Sequence, residues 1–287
     1  MPGKDILITG LPRSGNTLAN KLLADLPDVV AIDEGMRLVE FDACPTPDAI
    51  ATATRRFLAE QRRLILDEGQ VWTSHQQGQL TDNVFTGPRG DQGRARSVVQ
   101  GWIEVGKPVT PEFTLLLKQP VIFAATIERL ARQWPVFAFV RNPLAALGSW
   151  NSVNFGLRSG RASLIERFHP DLGQRLQQTP DAYDRQVLIL HWFFEQFSQH
   201  LPRTSVIRYE DLIESQGRAL TPMHPAAAAF AHPLSSRNSA NDYDLQMLMT
   251  VGDKLLASHG AAWTFYEKAE VKALLDEMLA GGVTPAR

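Results

Sequence analysis

Several places in this 287-residue chain carry residue types suited to an anionic ligand. Gly10-Leu11-Pro12-Arg13-Ser14-Gly15-Asn16-Thr17 fits the phosphate loop G-x-x-x-x-G-K-[ST] except at one position, where Asn16 replaces lysine. The loop leaves an apolar run and opens a helical one, so backbone N–H groups and the helix dipole would face an anion, with Arg13 adding charge. What Asn16 removes is the cation that reaches the β- and γ-phosphates. Arg141 closes the apolar run 136–140, where a guanidinium can fork onto a phosphate. Ser149 follows eight positions later, two helical turns along. Asp33 and Glu34 end the apolar run 29–32 as a Walker B strand ends, Lys118 ends the run 113–118, and Tyr209 ends the run 204–209. The seven histidines form no metal-ligand spacing, so no metal is expected.

These residues share one property: each follows a short apolar run. Ile6-Leu7-Ile8, Val29-Val30-Ala31-Ile32, Leu115-Leu116-Leu117 and Val136-Phe137-Ala138-Phe139-Val140 read as strands buried on both faces. Helical spacing separates them: Leu18, Leu22, Leu23 and Leu26 after the loop, a helix from Pro47 to about Asp67 with Arg55, Arg56, Arg62 and Arg63 on its wet side, 121–133, a helix from Pro143, and an amphipathic helix over 181–200. Alternating strands and helices predict an α/β fold: a central parallel sheet with flanking helices, a P-loop-like nucleotide-binding core and, from helices near 241–258 and 265–280, a helical C-terminal cap. In such sheets ligands sit at the carboxyl ends of the strands. We read 1–287 as one domain with an acceptor-site loop at 74–112. Gly, Gln and polar residues dominate that stretch, and loops of such length are functional lids or disordered.

Composition narrows the class. Hydrophobic residues make 44% and charged residues 21%, a globular mix that excludes a disordered tail, a collagen and a coiled-coil rod. Lys and Arg number 29 against 31 Asp and Glu, so the basic excess of a non-specific nucleic-acid binder is absent. A single cysteine, Cys44, permits neither an internal disulfide nor a cysteine zinc site. No apolar run approaches the roughly 18 residues of a membrane span. The opening stretch lacks the apolar core of a secretory signal, so a cytoplasmic protein is expected. The sequence does not set the oligomeric state.

Pro12-Arg13-Ser14-Gly15-Asn16-Thr17-Leu18 resembles the 5′-phosphosulfate loop, P-[KR]-S-G-[TN]-T, of sulfotransferases that use 3′-phosphoadenosine 5′-phosphosulfate. The segment 136–149 resembles that family's 3′-phosphate segment, with Arg141 and Ser149 in the matching places, and 206–212 resembles its R-Y-E-D-L strand end, where Tyr209 would lie near the nucleotide. The resemblance covers about 5–40 and 113–215, while 41–112 and the chain past about 220 match nothing in it. Ser235-Ser236-Arg237-Asn238 stands where many members have a further 3′-phosphate loop.

The resemblance implies a sulfotransferase that moves a sulfuryl group to an acceptor hydroxyl and leaves 3′-phosphoadenosine 5′-phosphate. The histidine of the cytosolic members is absent, because Lys118 is followed by Gln119 and Pro120. Glu34 falls where tyrosylprotein and bacterial members of the glutamate type place their base, Lys118 where they place the leaving-group lysine, and Arg13 would assist it. Asp33 is the alternative base if the register is off by one, and His75 a reserve. A P-loop kinase or NTPase, and a non-catalytic nucleotide-binding relative, are the rival readings. The acceptor would be a small-molecule, glycan or lipid hydroxyl. His75, Arg89, Arg94, Arg96 and Trp102 suggest a lid over a polar or anionic one, although a solvated loop would look the same.

Overall fold

A computed structural model describes residues 4–91, 93–239 and 243–281. Residues 1–3 of the opening stretch, Gln92 and the Arg89 side chain in 74–112, and 241–242 of the helix expected over 241–258 lie outside the described residues.

β1 (Asp5–Gly10) leads through the loop to α1 (Asn16–Ala24) and β2 (Val29–Asp33). The short α2 (Leu38–Asp42) precedes α3 (Pro47–Glu68), which begins at a Thr46 side-chain cap with Pro47 in its first turn and ends at the left-handed Gly69. Next come β3 (Gln70–His75), the two-residue β4 (Arg89–Gly90) and β5 (Gly93–Arg94), and β6 (Val99–Glu104). β7 (Thr114–Lys118), α4 (Pro120–Ala125), α5 (Ile127–Leu130), β8 (Val136–Val140) and α6 (Pro143–Ser152) return the chain to the sheet. Three helices, α7 (Ser163–Phe168), α8 (Pro170–Gln178) and α9 (Ala182–His200), lead to β9 (Val206–Arg208) and α10 (Tyr209–Glu214). The last helices are α11 (Leu245–Ala257) and α12 (Lys268–Gly281), which pack together and against α6.

The central sheet has five strands in the order β2-β7-β1-β8-β9, all parallel. The fold is therefore α/β, as the alternating pattern predicts. The period-2 geometry of strands explains why nearly every strand residue is apolar. Ile6 and Ile8 face the core under α1 with Leu116, Phe137 and Phe139, while Leu7, Leu115, Leu117, Ala138 and Val140 face the larger core on the other side. Among the described residues no helix is long and apolar enough to cross a membrane.

Four expectations need correction. The stretch 74–112 is not a structureless loop: β3 pairs antiparallel with β6, Trp72 opposite Trp102, and the hairpin between them carries the small β4–β5 pair. Gly and Gln hid strands whose stability comes from cross-strand partners rather than from local propensity. The helix expected over 121–133 is two short helices, because Thr126 leaves helical geometry at φ −125°. Arg62 is not on the wet side of α3: it pairs with Asp5 at 2.7 Å and stacks 4.4 Å over the Phe113 ring. The strand ending at Tyr209 is shorter than 204–209, since Arg203–Ser205 forms a 3₁₀ turn and Tyr209 already opens α10.

Candidate functional site

Parallel register places the carboxyl ends of the strands side by side. Asp33 and Ile8 are both Cα partners of Lys118, Gly10 of Phe139, and Val140 of Arg208. A cavity of about 890 Å³ opens along that edge. Pro12, Arg13, Gly15, Asn16, Thr17 and Leu18 line it from the loop, and Glu34, Lys118, Arg141 and Tyr209 reach it from the other strand ends. Ser14, Ser149, Asp33 and His75 are not in its wall.

The loop holds its shape by turning several polar side chains inward. Ser14 Oγ donates to the carbonyls of Leu11 (2.6 Å) and Phe139 (2.9 Å), Asn16 Nδ2 to Leu11 (3.4 Å), and Trp150 Nε1 to Pro12 (2.8 Å). Gly15 has φ 85°, and a Cβ there would come 2.7 Å from Cδ2 of Tyr209. Arg13 adopts φ 72°, sparse territory for a side-chain-bearing residue. With the loop braced, the opening amides of α1 lack intrahelical partners and point their dipole at the cavity.

Arg141 marks one end. Its Nε donates to Asn238 Oδ1 (2.7 Å), its Nη1 to the Arg13 carbonyl (3.0 Å) and its Nη2 to the Arg237 carbonyl, while the guanidinium stacks 4.8 Å over the Tyr209 ring. The Arg237 amide donates to the Tyr209 hydroxyl at 3.0 Å. The segment 235–238 thus joins the loop, and Ser235 and Arg237 line the cavity. Ser149 lies elsewhere: its Oγ accepts from Arg13 Nε at 3.1 Å rather than from Arg141. Burial and the neighbouring Arg141 lower the Arg13 guanidinium to about 10.

At the other end Lys118 Nζ donates to Asp33 Oδ1 (2.5 Å), Thr17 Oγ1 (3.0 Å) and Glu34 Oε1 (3.1 Å). Adjacent strand residues normally point to opposite faces. Asp33 and Glu34 both reach Lys118 because Glu34 turns left-handed, at φ 46°, with its amide donating to the Lys118 carbonyl (2.8 Å) and its carbonyl accepting from Gln100 Nε2 (2.6 Å). Strain of this kind is held in place by surrounding structure and concentrates at functional sites. Arg96 Nη2 donates to Glu34 Oε2 at 2.8 Å.

The two carboxyls are pushed apart. Burial raises Asp33, against the attraction of Lys118 and with help from Glu34. Burial also acts to raise Glu34, but Lys118 and Arg96 outweigh it and hold that carboxyl at about 2. Lys118, opposed by burial, is held up by Asp33 and Glu34 and stays charged. The arrangement offers a carboxylate with a quarter of its side chain exposed to the cavity, beside a buried ammonium, at the mouth of an anion-binding loop.

Asn83, Gln100 and the particular role of Arg96 are not marked by any motif in the sequence. Asn83 Oδ1 accepts from Arg13 Nη1 (2.8 Å) and from the Phe85 amide (3.1 Å), and the Arg13 guanidinium lies 5.0 Å from the Phe85 ring. All of these sit in or beside the β3–β6 hairpin, whose pairing carried no periodic signal.

The chain matches no protein-family model and no curated protein sequence. Among solved structures it matches sulfotransferase STF1 from Mycobacterium tuberculosis H37Rv at 13% identity, covering 96% of this chain and 77% of that one, with a TM-score of 0.33. A likeness that distant carries no inference about this chain.

Proposed function

We propose that this protein transfers a sulfuryl group from 3′-phosphoadenosine 5′-phosphosulfate to an acceptor hydroxyl. One observation carries the reading: Lys118 Nζ lies between Thr17 of the phosphate-type loop and the cavity-facing carboxylate Glu34. Base, cation and loop therefore converge where a transferred group would pass between donor and acceptor. The donor set fits the ligand: Arg13, Arg141 and Arg237 gather at the loop end, where the nucleotide's phosphates would lie.

In the proposed step the acceptor oxygen forms a bond to sulfur as the bond between sulfur and the bridging phosphate oxygen breaks. The acceptor proton goes to Glu34, and the electron pair of the broken bond stays on the bridging oxygen. Lys118, with Arg13, stabilises that charge, and 3′-phosphoadenosine 5′-phosphate leaves. Anionic oxygens of the donor would compete for Lys118 and so loosen its hold on Glu34, raising a carboxyl that at about 2 is too weak a base.

Calorimetric titration tests the donor. We expect tighter binding of 3′-phosphoadenosine 5′-phosphate than of ADP, and equal or tighter binding of ADP would sink the proposal. Arg141→Ala should erase the preference, since a lost charge-assisted hydrogen bond costs about 1.5–3 kcal/mol.

Arg96 provides a pH test. Arg96→Ala removes one of the two cations that depress Glu34, so its carboxyl rises. A base works only when unprotonated, so activity is lost as pH falls through its pKa. The acid limb of kcat/KM should accordingly move to higher pH in the variant. An unmoved limb would detach Glu34 from the proton transfer.

A further inference from the structure

The cavity extends beyond the residues that the donor would occupy, and its far end has a chemistry of its own. We infer that the acceptor is an uncharged alcohol or phenol with an apolar body and a single hydroxyl directed at Glu34. This inference rests on the proposed sulfuryl transfer and narrows its acceptor.

Three observations meet there. First, apolar residues from several elements line the wall: Val84 and Val98 from the hairpin, Val121 from the start of α4, Phe155 and Leu157 after α6, and Leu164 from α7. Phe85 and Phe155 pack edge to face at 6.2 Å and close one corner. Leu38, 71% exposed, carries the apolar lining out to the rim. Apolar surface of this kind gains free energy by covering an apolar ligand, not a hydrated one.

Second, two of the cations at this end are already paired with carboxylates. Arg96 is paired with Glu34, and Arg161 grips both oxygens of Glu166 at 3.0 and 2.7 Å. Asp82 adds a further negative charge to the wall. The remaining cation beside this wall is Arg13, 5.0 Å from the Phe85 ring, and the proposed donor would claim it, so an anionic acceptor would meet no spare cation. The polar or anionic acceptor that the arginines of 74–112 suggested is therefore not what this wall fits.

Third, each amide in this wall commits one of its two ends to holding the protein together. Gln100 Nε2 donates to the Glu34 carbonyl, Gln119 Nε2 to the Met36 carbonyl at 3.0 Å, and Asn83 Oδ1 receives Arg13. A polyol entering here would find the remaining ends of these amides and the unpartnered Ser74 Oγ, too few groups to replace the water that its several hydroxyls give up.

Three phenols with the same reacting hydroxyl test the inference: 4-butylphenol, 3-(4-hydroxyphenyl)propanoate and the 4-hydroxyphenyl glucoside arbutin. Each is offered with labelled donor, and kcat/KM is compared. We expect 4-butylphenol to be favoured about 100-fold or more over both others, within the range that apolar pockets achieve for small differences in fit when a charge or sugar must also be desolvated. Preference for the propanoate or for arbutin would overturn the inference and leave the donor proposal standing. Binding of 3′-phosphoadenosine 5′-phosphate without transfer to 4-butylphenol would also overturn it. Failure to bind that nucleotide would instead remove the transfer proposal, and the acceptor with it. A second arm uses Val98→Lys, which puts a cation in the apolar wall. It should lower the ratio of 4-butylphenol to propanoate at least about tenfold while nucleotide affinity, which reports folding of the loop, is unchanged. An unchanged ratio in a variant that still binds nucleotide would count against the apolar wall as the acceptor surface.

Discussion

Glu34→Gln is expected to lower the rate of sulfuryl transfer by about 10²–10⁴-fold, the usual loss when a general base is removed. Glutamine keeps the shape of the side chain and can still accept from Lys118, but it cannot take up the acceptor's proton. The loss should appear in a single-turnover measurement with donor and acceptor saturating, so that binding does not enter. Affinity for 3′-phosphoadenosine 5′-phosphate should change little, because its phosphates would lie at the loop and at Arg141. Lys118 retains Asp33 at 2.5 Å, so the buried ammonium does not lose its main partner. Two results would be informative against the assignment. Near-normal turnover would pass the role to Asp33, whose side chain is buried outside the cavity wall and would have to move. A large loss of nucleotide affinity would mean that Glu34 acts chiefly by holding Lys118 in place.

The residues of this site were legible in the sequence to the extent that they follow buried parallel strands. An apolar run of five residues admits few other readings, and the residue that ends it must lie at the ligand-binding edge. That logic located Glu34, Lys118, Arg141 and Tyr209 together, although they are scattered over 176 positions of chain (209 − 34 + 1). It did not locate what orients them. Nothing in Ile32-Asp33-Glu34-Gly35 announces a left-handed turn at Glu34, because the turn is imposed by the Lys118 carbonyl on one side and Gln100 on the other. Motif residues also divide their work in a way that spelling does not show. Ser14 and Asn16 direct their side chains to the Leu11 carbonyl and brace the loop, and Ser149 reaches Arg13. The largest failure is the β3–β6 hairpin. Its strands interrupt their apolar residues with Gln, Ser, Gly and His, and their order comes from pairing with each other, a contact of about 30 residues' separation that local patterns do not encode.

Lys118 poses the harder experiment, because its charge holds the fold together as well as serving the proposed chemistry. Its side chain is 1% exposed and that of Asp33 is 4% exposed. Lys118→Met preserves the bulk but leaves Asp33 buried without its cation, and breaking a buried pair from one side costs about 3–5 kcal/mol. The single variant should therefore be destabilised, bind 3′-phosphoadenosine 5′-phosphate more weakly and turn over about 10²–10³-fold more slowly, the loss typical of one preorganised charge at a developing anion. Taken alone, that slow rate is ambiguous. Adding Asp33→Asn separates the two roles, since it removes the orphaned carboxylate, while Glu34 keeps Arg96 as its partner. In the double variant, chemical denaturation should show most of the stability restored, because a buried ion pair replaced on both sides is often close to neutral. Turnover should stay low, because the bridging oxygen has lost the ammonium of Lys118 and keeps only Arg13. Recovery of both stability and rate would reduce Lys118 to a structural counter-ion, and leaving-group stabilisation would then fall to Arg13, whose guanidinium is already in the wall of the same cavity.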